Sequence, residues 1–156
     1  MFVDKFGFNQ IDELILKEKE KLKEAVQAKA TAFQNDTNGW HDNAAYEVAL
    51  QQEDGCYDEI NRLINFKLKA KIVEKHNDLN KVDIGDTITL EMDEDDVFDV
   101  RLTGKFLANA KAGEITLNSP LGQTIYKKEI GDVAKFNSHG NNVCFVKILN
   151  IQKEAA

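Results

Sequence analysis

The chain has one proline, one tryptophan and two cysteines in 156 residues, and no apolar run approaches the length of a membrane span. Each shortage excludes something. With Pro120 as the single proline, no other stretch carries a fixed helix breaker. Cys56 and Cys144 lie far apart and share no Cys-x-x-Cys or Cys/His spacing, which argues against a disulfide framework or a zinc site. Buried free thiols and a reducing cytoplasm are expected instead. Basic charge is also scarce: 20 Lys and Arg face 27 Asp and Glu, a net charge of −7. Both halves share the deficit, with 11 basic and 15 acidic side chains in 1–78 and 9 and 12 in 79–156. Phosphate neutralisation needs a net basic surface, so independent binding to nucleic acid or an anionic membrane is not expected. The opening Met1-Phe2-Val3-Asp4-Lys5-Phe6 does not read as a secretory leader.

What is abundant is periodic charge. From about Gln10 to Lys75 two amphipathic arms flank a polar break at Asn35-Asp36-Thr37-Asn38-Gly39-Trp40-His41-Asp42. In the first arm Ile11, Leu14, Ile15, Leu22, Ala25, Val26, Ala32 and Phe33 recur at three-and-four spacing, with Glu18 and Lys29 interrupting the seam. Lys17, Lys19, Lys21 and Lys23 alternate with glutamates and read as a solvated face. The second arm answers with Tyr46, Ala49, Leu50, Tyr57, Ile60, Leu63, Ile64, Leu68, Ile72 and Val73. The pattern predicts an antiparallel coiled-coil helical hairpin, its second helix capped by His41 or Asp42, with Gly55 permitting a close approach or a bend. Ahead of it, Phe2, Phe6 and Phe8 form a lead-in that either covers apolar surface or docks a partner.

After residue 77 the period falls from 3.6 to 2. Thr87–Met92 and Phe98–Thr103 alternate strictly around an acidic loop at 93–96, read as solvated because four consecutive side chains cannot all face one ion. Glu114–Asn118, Val133–Phe136 and Val143–Ile151 supply further strands. Ser119 and Pro120 open a short helix as N-cap and first helical residue. The expected class is α+β: a hairpin domain over 1–77, then a small antiparallel sheet domain with one short helix over 78–156.

Three stretches together resemble the bacterial Gre transcript-cleavage factors, GreA and GreB. Asp42-Asn43-Ala44-Ala45-Tyr46 is similar to that family's acidic-Asn-Ala-x-Tyr tip motif. Lys111 through Gly122, ending Ser119-Pro120-Leu121-Gly122, and Lys128-Glu129-Ile130-Gly131-Asp132-Val133 resemble its sheet-domain motifs. The resemblance implies an FKBP-like sheet domain and a transcription elongation regulator that binds bacterial RNA polymerase. It implies that Ser119, Pro120, Leu121 and Gly122 dock on the rim of the secondary channel while the tip residues Asp36, Trp40, His41, Asp42 and Asn43 reach the polymerase active site. On that reading the chain is not an enzyme and has no cofactor of its own. Asp42 is lent toward a Mg²⁺ held by the polymerase. Asp42 as a mere helix cap stays open beside that role.

The tip departs from the family. The pattern has two acidic residues three positions apart; with Asp42 as the second, Gly39 stands in the first place, and the shorter aspartate replaces glutamate. A non-cleaving competitor or inhibitor of the polymerase is therefore an alternative. More remote ones are a peptidyl-prolyl isomerase, suggested by the sheet, and a coiled-coil adaptor. Phe98, Phe106, Tyr126, Phe136 and Phe145 are expected mainly to fill the sheet's core.

Overall fold

The computed structural model describes residues 1–35, 43–76, 78–92, 96–137 and 143–154. The elements in chain order are β1 (Phe2–Val3), α1 (Lys5–Asn35), α2 (Ala44–Lys69), β2 (Lys71–Ile72), β3 (Thr87–Met92), β4 (Asp96–Thr103), β5 (Glu114–Thr116), α3 (Pro120–Ile125), β6 (Val133–Asn137) and β7 (Val143–Gln152). They form two compact units, one of Ile11–Lys69 and one of Met1–Gln10 with Ala70–Ala156. The expected division followed chain order at residue 77; by packing, the first ten residues and those from Ala70 onward go with the sheet.

In the hairpin unit only part of the expected seam is covered, since Val26, Phe33, Leu50, Tyr57, Ile64 and Leu68 are exposed. Ile11, Ile15 and Ala25 of α1 and Ala49, Ile60 and Leu63 of α2 are buried. Lys67 bonds to Asp12 near one end and Lys29 to Glu53 toward the other, so the arms run in opposite directions. The two interruptions read from the sequence are therefore resolved differently. Lys29 finds a carboxylate on the other arm, whereas Glu18 takes Lys21 on its own helix. At 1.5 Å per residue the arms extend roughly 40 Å.

Two ends differ from expectation. Helix α1 begins at Lys5, because the Asp4 side chain accepts a hydrogen bond from the Gly7 amide at 2.6 Å and caps it. Phe6 and Phe8 thus belong to the helix, and Phe2 and Phe6 are exposed rather than covering a core. Gly7 is where α1 meets the 104–106 backbone: a methyl there would collide with the Gly104 carbonyl and the Phe106 amide. Helix α2 stops at Lys69 instead of continuing through Val73. Its β-branched end residues pair instead, β2 lying parallel to β1 with the Val73 amide donating to the Val3 carbonyl at 2.8 Å. Gly55 meets nothing within 4 Å of an added methyl, so the expected close approach is not there.

Besides the β1–β2 pair, the described residues of the sheet unit form a five-stranded sheet in the order β5-β4-β3-β7-β6. Every neighbouring pair is antiparallel except β4 and β5, which run parallel. Parallel neighbours need a longer connection, supplied by residues 104–113 with a 3₁₀ turn at Ala110–Ala112. The core is aliphatic: Ile88, Leu90, Val100, Leu102, Val146 and Ile148 from the central strands, closed by Ile125 of α3 and by Leu117. Phe98, Tyr126 and Phe136 pack against this cluster, but Phe145 points outward with 53% exposure. The reason is local. Val143 to Ile148 is apolar at nearly every position, so alternation alone does not say which face is inside. Cys56 and Cys144 are free thiols, half-buried rather than buried.

Sequence reading missed a buried polar knot at the entry to the sheet. Asp86, fully buried, accepts from the Asp83 amide and from the Lys153 ammonium, both at 2.8 Å. Asp83, 3% exposed, accepts from the amides of Ile84 and His76. An uncompensated buried carboxylate is costly. Here a backbone donor and one lysine from the far end of the chain compensate Oδ2 of Asp86, while its Oδ1 is buried without a hydrogen-bond partner among the described residues.

Candidate functional site

Two groups of residues concern function, one in each unit. At the hairpin's turning end, Asp36, Trp40, His41 and Asp42 lie outside the described residues, and Asn43 is the first described residue after them. Its side-chain oxygen accepts from the Tyr46 amide at 3.0 Å, and its backbone carbonyl accepts from Glu47 at 3.1 Å. Asn43 is therefore the N-cap of α2, one or two residues later than the His41 or Asp42 expected. Its amide nitrogen also donates to the Ala32 carbonyl at 2.9 Å, one of the unpaired acceptors of α1's last turn. The Phe33 and Tyr46 rings lie 6.4 Å apart, and Lys29 meets Glu53 further down.

These contacts explain part of the Asp-Asn-Ala-Ala-Tyr motif. Asparagine caps a helix and ties the arms together, and tyrosine three residues on supplies the capped amide and the ring that meets Phe33. Among the described residues no cluster of three His, Cys, Asp or Glu side chains is disposed to hold a metal.

In the sheet unit the Ser119-Pro120-Leu121-Gly122 stretch is a tightly bonded corner. Ser119 Oγ accepts from the Gly122 amide at 3.0 Å and donates to the Thr116 carbonyl at 2.8 Å, the capping role its position predicted. Gly122 is buried against that same carbonyl, where a methyl would collide. Leu121 packs on the core. Pro120 alone of the four is exposed. Just before it, the Asn118 side chain holds both polar groups of the Phe2 backbone, accepting from the amide at 2.7 Å and donating to the carbonyl at 2.5 Å. Asn118 was read only as the end of a strand; no local pattern could reveal a partner 116 residues away.

Titration near this corner follows from contacts. Lys105 and the Asn109 amide both donate to Glu114, and the lysine bond, then the amide, holds its carboxyl below the ordinary range. Burial, with the nearby Asp83 charge second, pushes the Tyr126 hydroxyl up.

Comparison with known proteins bears on both groups. A family described as "Transcription elongation factor, GreA/GreB, C-term" matches residues 75–153. The chain is 31% identical over 114 residues to transcription elongation factor GreA of Pasteurella multocida (strain Pm70), covering 71% of this chain and 72% of that one. It is 28% identical over 137 residues to GreA of Phenylobacterium zucineum (strain HLK1), covering 86% of each. Among solved structures, GreA factor homolog 1 of Thermus thermophilus aligns over 98% of this chain and 99% of its own at 20% identity, with a TM-score of 0.43.

Proposed function

Because the chain belongs to the GreA/GreB family of transcription elongation factors, which are not themselves enzymes, we propose that it binds bacterial RNA polymerase and inserts the end of its helical hairpin in the secondary channel. The observation that carries this reading is the bracing at Asn43. Two helices of roughly 40 Å are tied together by the side chain of the residue that follows Asp42 in the sequence, which braces the end of the hairpin. With the N-cap filled by Asn43, Asp42 is left for a role toward the polymerase, and Asp36, Trp40 and His41 are assigned to the same role. A carboxylate delivered there would help retain a Mg²⁺ of the polymerase, which supplies the Lewis-acid chemistry of RNA hydrolysis. On the sheet unit, Pro120 offers the exposed apolar contact for the channel rim. Ser119, Leu121 and Gly122 shape the corner that presents it.

Gly39 favours a second reading on the same scaffold. One carboxylate holds a shared metal less well than two, so the chain would occupy the channel without stimulating cleavage and compete with factors that do. Stalled elongation complexes given the purified chain distinguish these. Shortened RNA that is lost with Asp42→Ala supports the cleavage reading. Binding without shortening establishes the competitor. Retention of both binding and effect after residues 36–42 are shuffled would leave an adaptor and overturn the proposal.

A further inference from the structure

The sheet unit holds an ion-pair arrangement that the elongation-factor reading leaves unused. Glu154 lies two residues past the end of β7 and stands outside the strand ladder. One carboxylate oxygen accepts from the Arg101 guanidinium, and the other lies 3.5 Å from the Lys75 ammonium. The carboxylate rests across Gly85, whose φ of +94° excludes most other residues and where an added Cβ would take the space of the Glu154 oxygen. The surrounding cavity, about 250 Å³, is lined also by Phe6, Ile84 and Thr103. The other acids of its wall are engaged: Asp4 with the Gly7 amide, and Glu114 with Lys105 and the Asn109 amide. Among the described residues Glu154 is the only ion-pair partner of Arg101 and of Lys75.

We infer that Gly85, Arg101 and Lys75 form a carboxylate seat that accepts an acidic side chain from a protein partner, and that Glu154 is its internal occupant in the free chain. The floor is built for a flat two-oxygen group, one oxygen to each cation. The occupant is easily exchanged, because its side chain is 42% exposed and that of Arg101 46%, and such pairs add about 1 kcal/mol or less. Phe6, 59% exposed at the rim, favours a partner segment in which an apolar residue neighbours the acidic one. This inference goes beyond the polymerase reading and stands without it.

The test uses the full ¹⁵N-labelled chain and a blocked tetrapeptide with one glutamate beside a leucine, followed through the amides of Gly85 and Thr103. Glu154→Gln, which keeps the side chain's size, should bind the peptide about fivefold more tightly than the unaltered chain, the factor that release of ~1 kcal/mol of competing ion pair gives. Arg101→Ala added to Glu154→Gln should abolish the gain. Lys75→Gln in the otherwise unaltered chain should weaken the peptide, which keeps the test decisive if Glu154→Gln does not fold. The proposal is overturned if Glu154→Gln brings no gain, or if the glutamine twin of the peptide binds as well. Tighter binding of inorganic phosphate than of the glutamate peptide would also overturn it, in favour of a phosphate site.

Discussion

In the sheet unit Ile88, Leu90, Leu102, Ile125, Val146 and Ile148 are fully buried around one centre, whereas among the described residues the hairpin buries Ile11, Ile15, Ile60 and Leu63 and then only Ala25 and Ala49. The polar residues divide in the same way. Buried Asp83 and Asp86 are held by backbone amides close in sequence together with Lys153, while in the hairpin Lys29 meets Glu53 across the seam. A two-helix pair has one line of contact, so every seam position lies within a side chain of water, and a charged pair costs little there while it selects one register. A five-stranded sheet with a covering helix has an inside, where each polar group needs a donor. The difference teaches that the first unit is made for slenderness and the second for stability.

Leu90→Ala against Leu63→Ala breaks or sharpens that contrast most directly. Leu90 lies at 0% exposure among neighbours on all sides, and its truncation should cost about 4 kcal/mol, near the top of the usual range of about 2 to 5. Leu63, though only 2% exposed, sits in a seam able to close up, and its truncation should cost about 2 kcal/mol. Urea unfolding followed by circular dichroism gives both figures, and equal losses would remove the distinction.

Gly55→Ala should act in the opposite direction. The position is helical with nothing within 4 Å of the new methyl, so the hairpin should gain about 1 kcal/mol, read as a higher urea midpoint. No gain would mean that the glycine meets something the free chain does not show.

The smallest expected effect concerns acid. Because the folded-state pKa of Glu114 is lowered, its contribution is present above the unfolded value of about 4.3 and is lost as pH falls through the lower folded one. Glu114→Gln should therefore flatten the decline of the sheet unit's urea midpoint below that pH and leave the hairpin's helical signal unchanged. An unaltered slope would show that the Lys105 and Asn109 bonds do not persist in solution.

How far the sequence could be read depended on the range of each cause. The helical hairpin with its two charged interruptions, the strand Thr87–Met92, the strand read as Val133–Phe136 and the Ser119 cap were all legible, because each depends on neighbours within a turn or on simple alternation. The Asn43 cap was misassigned by one or two residues for the opposite reason. His41, Asp42 and Asn43 stand in a row with Asp and Asn both cap formers, and the bond of Asn43 to the Ala32 carbonyl on the other helix is no property of that short run. At the candidate docking corner the motif was visible, but not that Ser119 and Gly122 are engaged within it while Pro120 is exposed.

By itself the sequence determined the hairpin, the switch to strands at about residue 80, the short helix at Pro120 and the kinship to a family of elongation factors, since periodicity, caps and motifs are properties of adjacent residues. Tertiary structure alone decided the parallel pairings of β1 with β2 and of β4 with β5, the outward turn of Phe145, the Asn118 hold on Phe2 and the seating of Glu154 over Gly85. Each of these joins residues far apart in the chain or turns on which face of a strand is covered. Such choices are made by the free energy of the whole packed unit, which no short window of residues contains.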